Sequence, residues 1–155
     1  MINKVCSLFR NLYYRIRYSY KIDRARSELR EWSVRLKAAG MPAFKEMMAQ
    51  FKWHSDGGVE WIPDSPEIVV ARGWKDDCDG AAVLAQWGFR QMNILSAIYR
   101  LDRPGGGHRV CVAWSKLVFT SNGTVVEIPY GVDWEHYVIE WGWHKEMNYR
   151  NIERV

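Results

Sequence analysis

The sequence predicts an α+β fold in which one buried helix packs on an antiparallel sheet behind a helical lead-in. Three observations carry that expectation. Val5, Leu8, Leu12, Ile16 and then Leu29, Trp32 and Leu36 recur at three- and four-residue steps through the first fifty residues, with no proline before Pro42. Residues 81–95 are good helix formers and apolar almost all round, as a core helix is. After Pro104-Gly105-Gly106-Gly107, residues 108–113, 117–120 and 124–128 are rich in Val and aromatics, as strands are. Residues 134–143 give one more strand candidate by the same composition. A run of helices followed by a run of strands is the order expected of an α+β layer.

At 155 residues the chain has the length of one domain, and 48% hydrophobic with 26% charged residues is enough to build a core. Within it, residues 1–50 read as a basic helical segment and residues 51–155 as the core that carries the chemistry. Between Gly40 and Gly73, His54-Ser55-Asp56-Gly57-Gly58 and Trp61-Ile62-Pro63-Asp64-Ser65-Pro66-Glu67 are dense in turn formers and read as loop with short interruptions. No stretch reaches the roughly 18 to 20 apolar residues of a membrane span, and no apolar leader with a cleavage site follows Met1-Ile2-Asn3-Lys4, so a cytoplasmic protein is expected. Cys6, Cys78 and Cys111 are odd in number and lack CxxC spacing, which excludes a disulfide framework and a thiolate zinc site as expectations.

The charge is uneven. Residues 1–30 hold eight Lys or Arg against Asp23 and Glu28, a net of +6, while the whole chain is +4. No zinc-finger, RNP-like or basic-zipper pattern accompanies the basic head, so it does not point strongly to nucleic acid. Residues 12–20 mix bases with aromatics, which fits an anionic partner, a membrane surface or simply a solvated helix face.

Asp76-Asp77-Cys78-Asp79-Gly80 places a cysteine where a polar loop becomes the buried helix. A helix N-terminus stabilises a thiolate, whereas three aspartates oppose it unless they cap the helix or pair with Arg72 or Lys75. A nearby imidazole is then needed as the base. His54, His108, His136 and His144 compete, and His108, heading a Val-rich strand after three glycines, is the expected one. Asn122 is the first candidate to orient that ring, with Asp133 as rival, because Asn122-Gly123 between two strands is also a strong hairpin signal. The backbone N–H of Cys78 would form half of an oxyanion site, with Trp61 or Trp74 as guesses for the other donor. The alternative for Cys78 is a small buried hydrophobe at a helix start. The glycines at 105–107 lack the Lys-Ser/Thr of a phosphate loop. The aspartates lack EF-hand spacing, so no cofactor and no metal is expected.

Trp61-Ile62-Pro63-Asp64-Ser65-Pro66-Glu67, Trp74-Lys75-Asp76-Asp77-Cys78-Asp79-Gly80-Ala81-Ala82, His108-Arg109-Val110-Cys111-Val112 and Ser121-Asn122-Gly123 together resemble the transglutaminase-like cysteine peptidases of bacteria and their phages. That family carries a W-x-x-P-x-E-like loop, a G-D-C-[ED]-D-x-A motif, an H-A-V strand and a following D-N or S-N. The likeness spans about residues 53 to 125. It implies a papain-like core with Cys78 as nucleophile, His108 as base and Asn122 as orienting residue. It further implies a peptide or protein substrate opened through a thioester, in the cytoplasm of a bacterium or a phage-infected host. Two positions depart from the motif: Asp76 stands where the family has Gly, and Gly80 where it has an acidic residue.

Overall fold

The computed structural model describes residues 2–55, 65–103, 106–142 and 151–154. Helix α1 (Ile2–Ala39) is followed by α2 (Met41–Met48), and the break falls at Gly40, whose φ of 63° is open to glycine and strained for other residues. Pro42 follows at the start of α2, where its missing N–H costs nothing. Strand β1 (Lys52–Trp53), helix α3 (Pro66–Ala71) and strand β2 (Lys75–Asp76) come next, β1 and β2 pairing in parallel. Helix α4 (Cys78–Gln91) leads into a sheet of β3 (Ser96–Arg103), β4 (Gly106–Ala113), β5 (Val118–Ser121), β6 (Thr124–Glu127) and β7 (Asn151–Arg154), with helix α5 (Trp134–Gly142) between β6 and β7. The sheet order is β6-β5-β4-β3-β7, every pair antiparallel.

The period of two in the strands divides the interior into two cores. Ile98, Cys111, Ala113 and Val118 face the helical layer, where they meet Leu84, Ala85 and Phe89 of α4, Phe44 and Met47 of α2 and Leu29, Trp32 and Leu36 of α1. Tyr99, Leu101, Val110, Val112, Phe119 and Val126 face the other way, covered by Trp134, Tyr137 and Val138 of α5. α2 comes so close to α4 that a Cβ on Gly88 would lie 2.7 Å from Met47 Cε and 2.8 Å from the Phe44 ring. Phe44 and Phe89 stack beside that crossing with centroids 4.2 Å apart. The composition change at residue 50 is therefore not a break in packing, because Ala25 to Met48 share one apolar cluster with α4.

The mixed α+β class stands, with an antiparallel sheet packed on helices. Five elements differ from expectation. Residues 134–142, expected as a strand, are helical: Trp134, Tyr137 and Val138 pack at helical spacing, and Asp133 caps the first turn by accepting the Glu135 N–H at 3.1 Å. Aromatic and branched composition suggested strand, while the period decided helix. The buried helix starts three residues earlier and ends at Gln91, leaving Ser96–Arg103 to form β3, an unassigned element in which Ala97, Tyr99 and Leu101 share one face and Ile98, Arg100 and Asp102 the other. β7 and the short α3 were likewise unassigned. Among the described residues, no helix is long and apolar enough to cross a membrane.

Candidate functional site

The start of α4 is built by three aspartates, Asp76, Asp77 and Asp79, that flank Cys78, each with a different task. Asp77 is the N-cap in extended conformation (φ −88°, ψ −159°), its side chain accepting the Asp79 N–H at 2.9 Å. A cap of this kind stabilises a helix by about 1 kcal/mol. Asp76, only 1% exposed, accepts the Asp77 N–H at 3.0 Å and is ion-paired at 2.9 Å with Arg72, which itself is largely buried. Its carbonyl accepts the His54 N–H at 2.7 Å, fixing the strand that delivers the chain to the helix. Asp79 reaches across to the sheet and pairs with the guanidinium of Arg109 on β4, both side chains being largely buried. The aspartates thus cap and pair, as their position beside Cys78 requires.

Cys78 is the first residue of α4 and is half-buried. Its sulfur lies 3.6 Å from Asp79 Oδ1, a thiol donating to a carboxylate, and the backbone N–H of Arg109 is aimed at it. Burial and the charge of Asp79 push the thiol from its ordinary value of 9.0 up to about 12, against the pull of the Arg109 N–H, with Asp77 adding to the rise. Desolvation and two carboxylates outweigh the helix N-terminus here, so the resting group is a neutral thiol. Cys111, buried on the α4 face of the sheet, is also raised to about 12 by burial.

His108 stands in β4, opposite Leu101 of β3, and is 2% exposed. Strand alternation groups it with Val110 and Val112 on the α5 face, while Arg109, Cys111 and Ala113 take the α4 face. The imidazole and the sulfur therefore approach the first residues of β4 from different sides, the sulfur meeting the backbone of the residue that follows His108. Among the described residues, the hydrogen bond of the sulfur goes to Asp79 and that of His108 Nε2 goes to Ser121 Oγ at 2.9 Å.

Ser121, and neither Asn122 nor Asp133, is the residue whose side chain meets His108 Nε2. Asn122 and Gly123, with φ of 47° and 85°, form the two-residue turn between β5 and β6, and Asn122 Oδ1 has no hydrogen-bond partner among the described residues. Asp133 is exposed and caps α5. The signal for Ser121 was in the sequence: once a hairpin closes at Asn122-Gly123, the preceding residue ends the strand beside β4. The register Cys111↔Thr120 then brings its side chain to the face that carries His108.

The remaining candidates fall elsewhere. His54 and His136 are exposed, and His144 and Trp61 lie outside the described residues. Trp74 cannot serve an oxyanion, because its indole N–H donates to Glu28 of α1 at 2.8 Å while its ring packs edge-on against Trp32. Asp77, Cys78 and Asp79 bring three ligand-type atoms within 4.8 Å of one another. They do not form a good cation site, since Asp77 is occupied in capping and Asp79 already faces a fixed positive charge. A concavity opens between α1 and the end of α4, around Leu36, Gly40, Met41 and Ile94. In comparisons with known proteins, no family model, no curated protein and no solved structure matches the chain.

Proposed function

We propose that the chain is a thiol-dependent hydrolase that opens a peptide or carboxamide bond in a peptide or protein substrate, with Cys78 as nucleophile and His108 as base. The observation that carries this reading is the placement of Cys78 in the first turn of α4, against the strand that also carries His108. The Arg109 N–H meets the Cys78 sulfur, and the preceding His108 has its Nε2 tethered to Ser121. The motif likeness around Cys78 and His108 supports it, and a papain-like core in the bacterial or phage-infected cytoplasm belongs to the same proposal.

In this reading a rearrangement at the start of β4 first brings the His108 ring from Ser121 to the sulfur, and the sulfur then attacks the carbonyl carbon as His108 takes the thiol proton, because a thiol raised to about 12 does not ionise beforehand. The C–N bond then breaks as His108 returns that proton to the departing amine. Water opens the thioester, giving a carboxylic acid and restoring the thiol. Ser121 keeps the ring oriented but, being neutral, adds no charge to stabilise the imidazolium. A second amine in place of water would make the same steps a cross-linking reaction. The carboxylate on the thiol favours a second reading, an inactive relative that binds without turnover.

Acylation by p-nitrophenyl acetate followed by mass mapping tests the proposal. The expected result is acetylation at Cys78 that His108→Ala reduces by at least tenfold, with Cys111 unlabelled. Labelling of Cys78 indifferent to His108, or none at all, supports the binding module instead.

A further inference from the structure

Helix α1 carries two apolar stripes on opposite sides. From Tyr18 and Ile22 onward, Ala25, Leu29, Trp32 and Leu36 pack into the core. In the first half, Phe9, Leu12, Tyr13, Ile16 and Tyr20 are 52–75% exposed. At the turn of an α-helix these five fall within an arc of about 100°. That arc is rotated roughly 180° from the stripe that faces the core. The exposed stripe is as regular as the buried one and is covered by nothing among the described residues.

Its surroundings state what would cover it. The first 22 residues hold Lys4, Arg10, Arg15, Arg17 and Lys21 and no acidic residue. Arg17 lies 5.8 Å over the Tyr13 ring, and Lys21 lies 5.5 Å over the Tyr20 ring, so cations flank the aromatics of the stripe. Two copies of such a segment would bring like charges together on association. An anionic bilayer surface is complementary on both counts: apolar and tyrosine side chains enter the headgroup boundary, and the flanking bases meet lipid phosphates. No described helix is apolar enough to span a membrane, so the geometry is that of a helix lying in the interface.

We propose that residues 9–21 of α1 dock the protein onto anionic lipid, with Phe9, Leu12, Tyr13, Ile16 and Tyr20 facing the bilayer. The stripe lies on the side of α1 away from α2 and α4, so the body of the protein remains in water when the helix is bound. This surface is independent of the Cys78 chemistry.

Co-sedimentation of the full chain with vesicles tests it. Binding is expected to phosphatidylglycerol–phosphatidylcholine vesicles and not to phosphatidylcholine alone. Raising salt from 50 to 500 mM should weaken it at least tenfold, since the screening length of exposed charges shrinks from about 14 Å to about 4 Å over that range. Ile16→Asp and Phe9→Asp each lie outside the core, leave the circular-dichroism spectrum unchanged and should each reduce binding at least tenfold. Failure to bind the anionic vesicles, or binding that both substitutions leave intact, overturns the proposal. So does a dimer that Ile16→Asp dissociates in a protein showing no vesicle binding.

Discussion

A Cβ placed on Gly80 would lie 2.4 Å from Asp76 Cβ and Oδ2, so the Asp76 side chain occupies the space that a residue at 80 would fill. The two departures from the transglutaminase-like motif are thus one reciprocal exchange: that motif has its Gly at the position of Asp76 and its acidic residue at the position of Gly80. Gly80→Ala alone should cost about 1–3 kcal/mol by overpacking. Asp76→Gly alone strands Arg72 in a largely buried place, at about 3–5 kcal/mol. The expected result in urea denaturation is that Asp76→Gly/Gly80→Asp is more stable than Asp76→Gly, with a coupling of at least about 1 kcal/mol. Additive losses would dismiss the exchange.

The α4 segment was legible because it satisfies several signals at once: a capping aspartate, alanine and leucine formers and an apolar surface wide enough for burial. That His108 lies in a strand was legible from the Val-rich run that follows it, although Gly106 and Gly107 join β4 and put His108 inside the strand and not at its start. Ser121 was not singled out, because a serine next to a turn carries no chemical signature until the pairing of β4 with β5 is known. The face taken by His108 was equally hidden, since one residue of register moves a side chain to the other side of a sheet. Residues 134–142 misled by composition, because Trp, Tyr, Val and Ile serve a strand and an amphipathic helix alike. The commitment of Trp74 to Glu28 depends on how α1 docks, a long-range contact no local pattern encodes.

Burial raises the Cys78 thiol most, and Asp79 adds to that rise. Its carboxylate both repels a thiolate and accepts the S–H, so Asp79→Asn should bring Cys78 down from about 12. Stopped alkylation with iodoacetamide between pH 7 and 10 should then show Cys78 reacting at a lower pH than in the parent protein. An unchanged pH profile would mean that burial alone sets the thiol, and Arg109 then serves only to hold β4 against α4.

Alkaline pH should weaken the fold. Cys78 and Cys111 are both raised from 9.0 to about 12, so between those values the folded chain holds protons that the unfolded chain has released. Stability is therefore full below about pH 9 and falls as pH rises toward 12. Cys111→Ala removes one of the two contributions and should flatten the decline of the urea midpoint over pH 9–11, even if the small cavity lowers stability at neutral pH. A decline of the same slope in the variant would count against burial of the Cys111 thiol as a cause.

Ser121 offers a way to separate a structural from a positioning role for the His108 contact. Ser121→Ala leaves a buried ring nitrogen without its partner and should cost about 1–3 kcal/mol. Ser121→Asp replaces a neutral partner with a charged one, which favours the imidazolium and raises the pH at which His108 deprotonates. If His108 is the base for Cys78, the pH dependence of Cys78 acylation should move upward with it in Ser121→Asp, while Ser121→Ala lowers the rate at every pH. A purely structural contact would alter the denaturation midpoint in both variants and leave the acylation profile of the folded protein where it was.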